Sequence, residues 1–139
     1  MDGMRDLHAQ VIMDHSERPR NRGALDNADL ENHLLNPLCG DEVTVYAAFY
    51  GDTVSEVRFT GRGCSISQAS ASMMTERLTG KSREEAEAEI AGFKSRMTGD
   101  GEFSDTEELA ALGGVIRYPS RIRCATLAWT AFEEGLEGS

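Results

Sequence analysis

VTVYAAFYGDTVSEVRFT, Val43 to Thr60, is the stretch whose reading decides the fold. Val43, Val45, Ala47 and Phe49 alternate with Thr44, Tyr46 and Ala48, which is the period of a half-buried strand. Tyr50-Gly51-Asp52 turns the chain, after which Val57 and Phe59 face one way while Glu56 and Arg58 face the other. Two alternating runs around a Gly-containing turn predict an antiparallel hairpin with one buried face. After Phe59 the period becomes helical. GRGCSISQASASMMTERLTG, Gly61 to Gly80, predicts a helix from near Ser65 to near Gly80. Its small residues Ser67, Ala69, Ser70, Ala71 and Ser72 allow another backbone to come close.

Working outward, Met4, Leu7, Val11 and Ile12 share one helical face, and Arg18-Pro19 ends that helix. Residues 17–33 are polar and read as loop, with Leu34 and Leu35 a candidate third strand. Downstream, Ser82-Arg83-Glu84-Glu85 is a capping-box pattern opening a helix to about Met97, with Ala86, Ile90 and Phe93 on one face. Ser104 and Glu107 repeat that pattern before ELAAL, and Gly113-Gly114 is expected to break the chain. YPSRIRCATLAWTAFEEGLEG supplies a last helix with Ile122, Ala125, Trp129 and Phe132 on one side. No repeat or linker divides the chain, so residues 1–139 read as one domain. The fold class is α+β: a small antiparallel sheet of about three strands with helices packed on one face.

Composition sets the outer bounds. With 139 residues, 40% hydrophobic and 27% charged, the chain can build one core. No apolar run approaches the roughly 18 residues of a membrane span. The start, MDGMRDLHAQ, has no basic and apolar leader, which points to the cytoplasm. A net charge of −10 disfavours nucleic acid, whose phosphates need clustered Lys and Arg. The three cysteines are an odd number with no export signal, against a disulfide framework. They are core thiols, metal ligands or reactive groups.

In LNPLCGDEV, Leu35 to Val43, Asn36 and Pro37 bend the chain and Gly40 frees it. Cys39 and Asp41 therefore fall on a loop before the hairpin. Cys64 falls at or just before a helix N-terminus, and Cys124 in the first turn of the last helix if Ser120 caps it. Unpaired N–H groups and the helix dipole favour thiolates at such positions. Three thiolates and one carboxylate make a full tetrahedral set for zinc. None of the spacings is C-x-x-C, and buried core thiols fit the positions as well. His8, His15 and His33 lie outside these stretches and are expected at the surface or at helix ends. Gly61-Arg62-Gly63 lacks the Gly-Lys-Ser/Thr of a phosphate loop.

Together NPLCGDEV, GRGCSISQASASMMTE and RIRCATLAW, with VIMDHSERPRNRG near the start, resemble the IscU/NifU N-terminal iron–sulfur assembly family nearly end to end. The resemblance implies a sheet-plus-helices fold and a metal or cluster site made by Cys39, Asp41, Cys64 and Cys124. Arg123 stands where the scaffold members carry a His, and YPSRIR replaces their paired-proline chaperone segment. An extra helical stretch runs from roughly Ser82 to Gly101. These departures resemble the SufU branch, which binds zinc and relays sulfur. The implied partners are a SufS-type cysteine desulfurase and downstream iron–sulfur assembly proteins. The implied role is transpersulfurase-like, with Zn2+ as cofactor. A [2Fe–2S] scaffold on the same ligands is the alternative, and a purely structural zinc domain is a second. By the same resemblance a histidine of the desulfurase releases Cys39 from the zinc, and Cys39 accepts the sulfur. Arg121 matches a family position; it and Arg123 would offset site charge or form an ordinary cationic helix face. Asp41 is expected to share a mobile arm with Cys39, while Cys64 and Cys124 stay rigid.

Overall fold

The Val43–Thr60 alternation is the centre of a three-stranded antiparallel sheet of order β1-β2-β3, formed by Leu30–Asn36, Asp41–Tyr50 and Thr53–Arg62. The computed structural model describes residues 2–37, 40–103 and 108–138, with side chains from residue 7 onward. β1 is the third strand anticipated at Leu34-Leu35, and it begins earlier, inside the stretch read as loop. Glu31 and His33 alternate with partly covered residues there, so its single apolar face is short and easily missed. Within the hairpin the register shifts at Ala48/Phe49. Ser55 is the extra residue, its hydroxyl donating to the Ala48 carbonyl at 3.0 Å. The bulge resets the phase, so Val54 and Val57 both turn inward despite their odd spacing.

Helices α1 (Asp2–Glu17), α2 (Ser65–Leu78), α3 (Arg83–Met97) and α4 (Pro119–Glu137) complete the fold with a 3-10 segment, Glu108–Arg117. The capping box that opens α3 is present: the Ser82 side chain accepts from the Glu85 N–H, and the Glu85 carboxylate accepts from the Ser82 N–H. The predicted Ser104–Glu107 repeat of that box lies outside the described residues. Gly113-Gly114 does not break the chain but lies within the 3-10 segment, with Leu109, Leu112 and Val115 buried around it.

Small residues on α2 let α4 pack closely. Trp129 of α4 donates its indole N–H to Ser70 Oγ at 2.9 Å, and Ser70 in turn donates to the Ala125 carbonyl. Trp129 stacks on Phe93 of α3 at 4.1 Å between centroids. Val43, Val45, Ala47, Val57 and Phe59 of the sheet join this core beneath α2 and α4. One end of the sheet, where β1 ends and β2 begins, thereby meets the N-termini of both α2 and α4.

Candidate metal centre

Three side chains converge at that end of the sheet. Asp41, Cys64 and Cys124 each offer a ligand atom, all within 4.8 Å of one another, and together could hold a metal ion. Asp41 is the first residue of β2, Cys64 immediately precedes α2, and Cys124 lies on α4. Asp41 and Cys124 are buried, and Cys64 is partly exposed.

The turn that presents Cys64 is built for close approach. Gly61 has φ +146°, and a Cβ there would lie 2.2 Å from the Glu42 carbonyl oxygen. A Cβ on Gly63 would lie 2.6 Å from Asp41 Oδ1 and 2.5 Å from Ser67 Oγ. With no side chain in the way, the Asp41 carboxylate lies against the turn. Its Oδ1 accepts the Cys64 N–H at 3.2 Å, and its Oδ2 is 3.7 Å from Cys64 Sγ. Ser67 closes the first turn of α2 by donating to the Cys64 carbonyl at 3.0 Å.

Two expectations are corrected here. Asp41 is not on a mobile arm: it is paired in register with Asn36, buried, and fixed to the Cys64 turn. Cys124 is not in the first turn of its helix. Pro119, not a Ser120 cap, opens α4, which places Cys124 two residues further in, in the second turn, with Sγ 4.0 Å from the Ser120 carbonyl. Proline is favoured at the first helical position because its missing N–H costs nothing there. Cys39 lies outside the described residues. Arg121 and Arg123 are both exposed on the first turns of α4. Arg123 lines a groove of about 220 Å³ with Leu34, Leu35, Asn36 and Pro37.

A second cluster of potential ligands, His15 with Glu76 and Glu108, has no signature in the sequence. His15 lies in the last turn of α1, a helix end as expected, but it is fully buried. Ser72 Oγ accepts the Arg20 N–H at 2.8 Å and lies 2.8 Å from His15 Nδ1. On the other side of the ring, Nε2 lies 2.9 Å from Glu108 Oε2. Arg20 also lies within electrostatic reach of Glu76 and Glu108. These contacts, with a guanidinium nearby, make a polar clip joining α1, α2 and the 3-10 segment. Its partners sit 57 and 93 residues away in sequence, and only the DHSERPR stretch hints that this histidine is set in a fixed turn.

The NifU-like N-terminal domain family matches residues 7–137. The zinc-dependent sulfurtransferase SufU of Bacillus subtilis (strain 168) is 45% identical over 133 residues, covering 94% of this chain and 89% of the relative. The iron–sulfur cluster assembly scaffold protein IscU of Streptococcus pyogenes serotype M1 is 41% identical over 135 residues, covering 96% and 84%. Among solved structures, a candidate iron–sulfur cluster assembly scaffold of the SUF system from Fervidobacterium islandicum AW-1 superposes with a TM-score of 0.84 at 36% identity, covering 91% of this chain and 94% of that one. A NifU-like N-terminal protein from Brucella abortus has a TM-score of 0.81 at 21% identity, covering 92% and 90%, a likeness of fold alone.

Proposed function

Since the chain belongs to the NifU-like N-terminal domain family, we propose that it is a zinc-dependent sulfur-transfer protein of iron–sulfur cluster assembly, accepting sulfur from a cysteine desulfurase on Cys39. The observation that carries this reading is the convergence of Asp41, Cys64 and Cys124 within 4.8 Å, on three separate elements, with Asp41 two residues downstream of Cys39. Two thiolates and a carboxylate suit zinc, and Cys39 would complete a tetrahedral set. Zinc, when bound, would keep the thiol groups ionised at neutral pH while shielding them from oxidation.

The remaining chemistry belongs to the chain. Asp41, Cys64 and Cys124 are anchored by strand, turn and helix, so none can leave without breaking packing or hydrogen bonds. Cys39 alone among the cysteines has Pro37 and Gly40 as close neighbours in sequence. It is the thiol suited to meet a partner. Its thiolate attacks the outer sulfur of the desulfurase persulfide. A new S–S bond forms to Cys39, and the desulfurase cysteine leaves as a thiolate, so the transfer is redox-neutral. Arg121, exposed on the first turn of α4, would balance the anionic charge of the site. Downstream acceptors are assembly proteins that take the sulfur on.

Desulfurase turnover with and without the zinc-loaded protein, followed by mass spectrometry, tests the reading. Turnover should rise, and one added sulfur should map to Cys39. Cys39→Ala should keep most of the zinc, because three ligands and a water form a competent site, and should gain no sulfur. An adduct on Cys64 or Cys124, or unchanged turnover with the parent, would overturn the assignment. A brown protein holding iron and sulfide after anaerobic purification would favour the [2Fe–2S] scaffold instead.

A further inference from the structure

The sulfur-transfer reading leaves a second convergence of donor atoms unused. His15 comes from the last turn of α1, Glu76 from the last turn of α2, and Glu108 opens the 3-10 segment. Their ligand atoms all lie within 4.8 Å of one another. Nε2 of His15 is the focus, 2.9 Å from Glu108 Oε2 and 4.0 Å from Glu76 Oε1. The imidazole is 0% exposed, while the Glu76 and Glu108 side chains are 46% and 54% exposed. The donor set therefore has a buried nitrogen at its base and an opening to solvent through which an ion can enter.

The contacts on the other side of the ring suit a metal ligand. Ser72 Oγ lies 2.8 Å from Nδ1 and accepts the Arg20 N–H at 2.8 Å. A hydroxyl oxygen has two lone pairs, so it can accept from Nδ1–H as well. That tautomer turns the Nε2 lone pair toward the carboxylates, and a metal-binding histidine commonly anchors its other nitrogen in this way. A proton at Nε2, by contrast, satisfies Glu108 alone, since Glu76 at 4.0 Å is beyond a hydrogen bond. A dication contacts both carboxylates at once. Zinc-type bonds to nitrogen and oxygen are about 2.0–2.2 Å, so neighbouring ligand atoms of such an ion sit roughly 3–3.5 Å apart. The two separations from Nε2 fall on either side of that span. Arg20 opposes an ion here, but its guanidinium is paired with Asp14 at 2.5 Å. Asp14, Glu76 and Glu108 stand against Arg18 and Arg20, which leaves this group of side chains net negative.

We propose that His15, Glu76 and Glu108 form a second divalent-cation site, separate from the cysteine centre and independent of the sulfur-transfer reading. One imidazole nitrogen and two carboxylate oxygens take a borderline or harder ion, such as Mn2+, Fe2+, Co2+ or Zn2+, and leave positions open to water. The thiolates of the first centre prefer softer ions, so the two sites divide metals by donor type. An ion here displaces any proton on Nε2. It replaces one contact between α1 and the 3-10 segment with bonds to α1, α2 and the 3-10 segment together.

Cobalt(II) is the probe, because its absorption reports its donors. Protein already holding one zinc is titrated with cobalt(II) at neutral pH, and its zinc content is followed throughout. One further cobalt per chain should bind, with weak visible bands and no intense thiolate-to-cobalt band. Glu76→Gln and Glu108→Gln should each weaken this uptake at least tenfold, with the zinc kept. Glu87→Gln, the same change at an exposed position on α3, should bind like the parent. His15→Gln should abolish uptake; if that buried change unfolds the chain, the two half-exposed glutamate variants decide. Cobalt should also raise the melting temperature of the parent by mass action, and leave that of Glu108→Gln where it was. No further cobalt, or uptake unchanged in both glutamate variants, would overturn the proposal. A thiolate band, or zinc released in step with cobalt uptake, would place the ion at the cysteines and overturn it as well. Displacement of the cobalt by excess calcium would show that carboxylates alone hold it, and that His15 is no ligand.

Discussion

Gly63 sets how closely Asp41 can approach the Cys64 turn. Its missing Cβ leaves the space in which the Asp41 carboxylate meets the Cys64 N–H. Gly63→Ala forces the new methyl against Asp41 Oδ1 and Ser67 Oγ, and neither is the far end of a flexible chain. The carboxylate must tilt away, and the fold should survive because the strain is confined to one turn. The expected outcome is a variant with near-parental melting that loses zinc to a chelator severalfold faster. An unchanged release rate would show that Asp41 does not depend on this contact, or does not hold the metal. The identities of Cys64 and Cys124 are legible in the sequence as chemistry, but their placement is only partly so. The turn before Cys64 can be read from Gly61-Arg62-Gly63 followed by a helical period. The start of α4 cannot, because Ser120 offers a cap by type and the helix opens at Pro119, two positions before the residue a Ser120 cap would start it on. Asp41 is hard to place for a related reason: a residue next to a glycine reads as loop, whereas the strand ladder reaches one pair further, to Asn36↔Asp41.

Among the elements, those with local signals are legible and those fixed by distant partners are not. α3 is announced by Ser82 and Glu85, and it starts there with both reciprocal hydrogen bonds formed. The hairpin follows from its alternation, except that the bulge at Ser55 changes phase with no local mark. The 3-10 segment hides behind Gly113-Gly114, since two glycines signal a break unless something outside holds the turn. Here buried Leu109, Leu112 and Val115 pin it to the core, and Glu108 reaches His15. The cap on α3 also gives a pH signature. Hydrogen bonds from the Ser82 backbone and side chain hold the Glu85 carboxyl below its usual range. A depressed carboxyl contributes stability above its unfolded value and loses it as pH falls through the lower folded one. Urea unfolding should therefore show stability declining on acidification below the ordinary glutamate range, with Glu85→Gln declining less. Ser82→Ala should cost about 1 kcal/mol at neutral pH, the usual loss for an N-cap. Identical acid dependence in the parent and the Gln variant would mean that the box is not formed in solution.

At the scale of the molecule, the candidate ligands bind together parts that the core joins only from one side. Asp41 comes from the central strand, Cys64 from the turn into α2, and Cys124 from α4. The apolar core beneath them, centred on Phe59, Phe93, Trp129 and Phe132, does not depend on those side chains. A metal at this site would thus cross-link sheet and helices at one end, while the opposite end is held by packing and by the α3 cap. Structural zinc contributes about 10–16 kcal/mol in peptides that cannot fold without it. A chain with its own core should lose much less, so the metal-free protein should remain folded and melt at a lower temperature. Excess free zinc should raise the melting point further by mass action, because the native state holds the convergent ligands and the unfolded chain does not. The loss should also be local. Hydrogen exchange in the metal-free protein should quicken at the start of β2, the Gly61–Cys64 turn and the first turns of α4, and stay slow around Trp129. Equal melting temperatures with and without zinc would remove the metal from any part in stability. Uniformly faster exchange would mean that the two ends unfold as one unit, and that the core cannot hold the sheet without the cross-link.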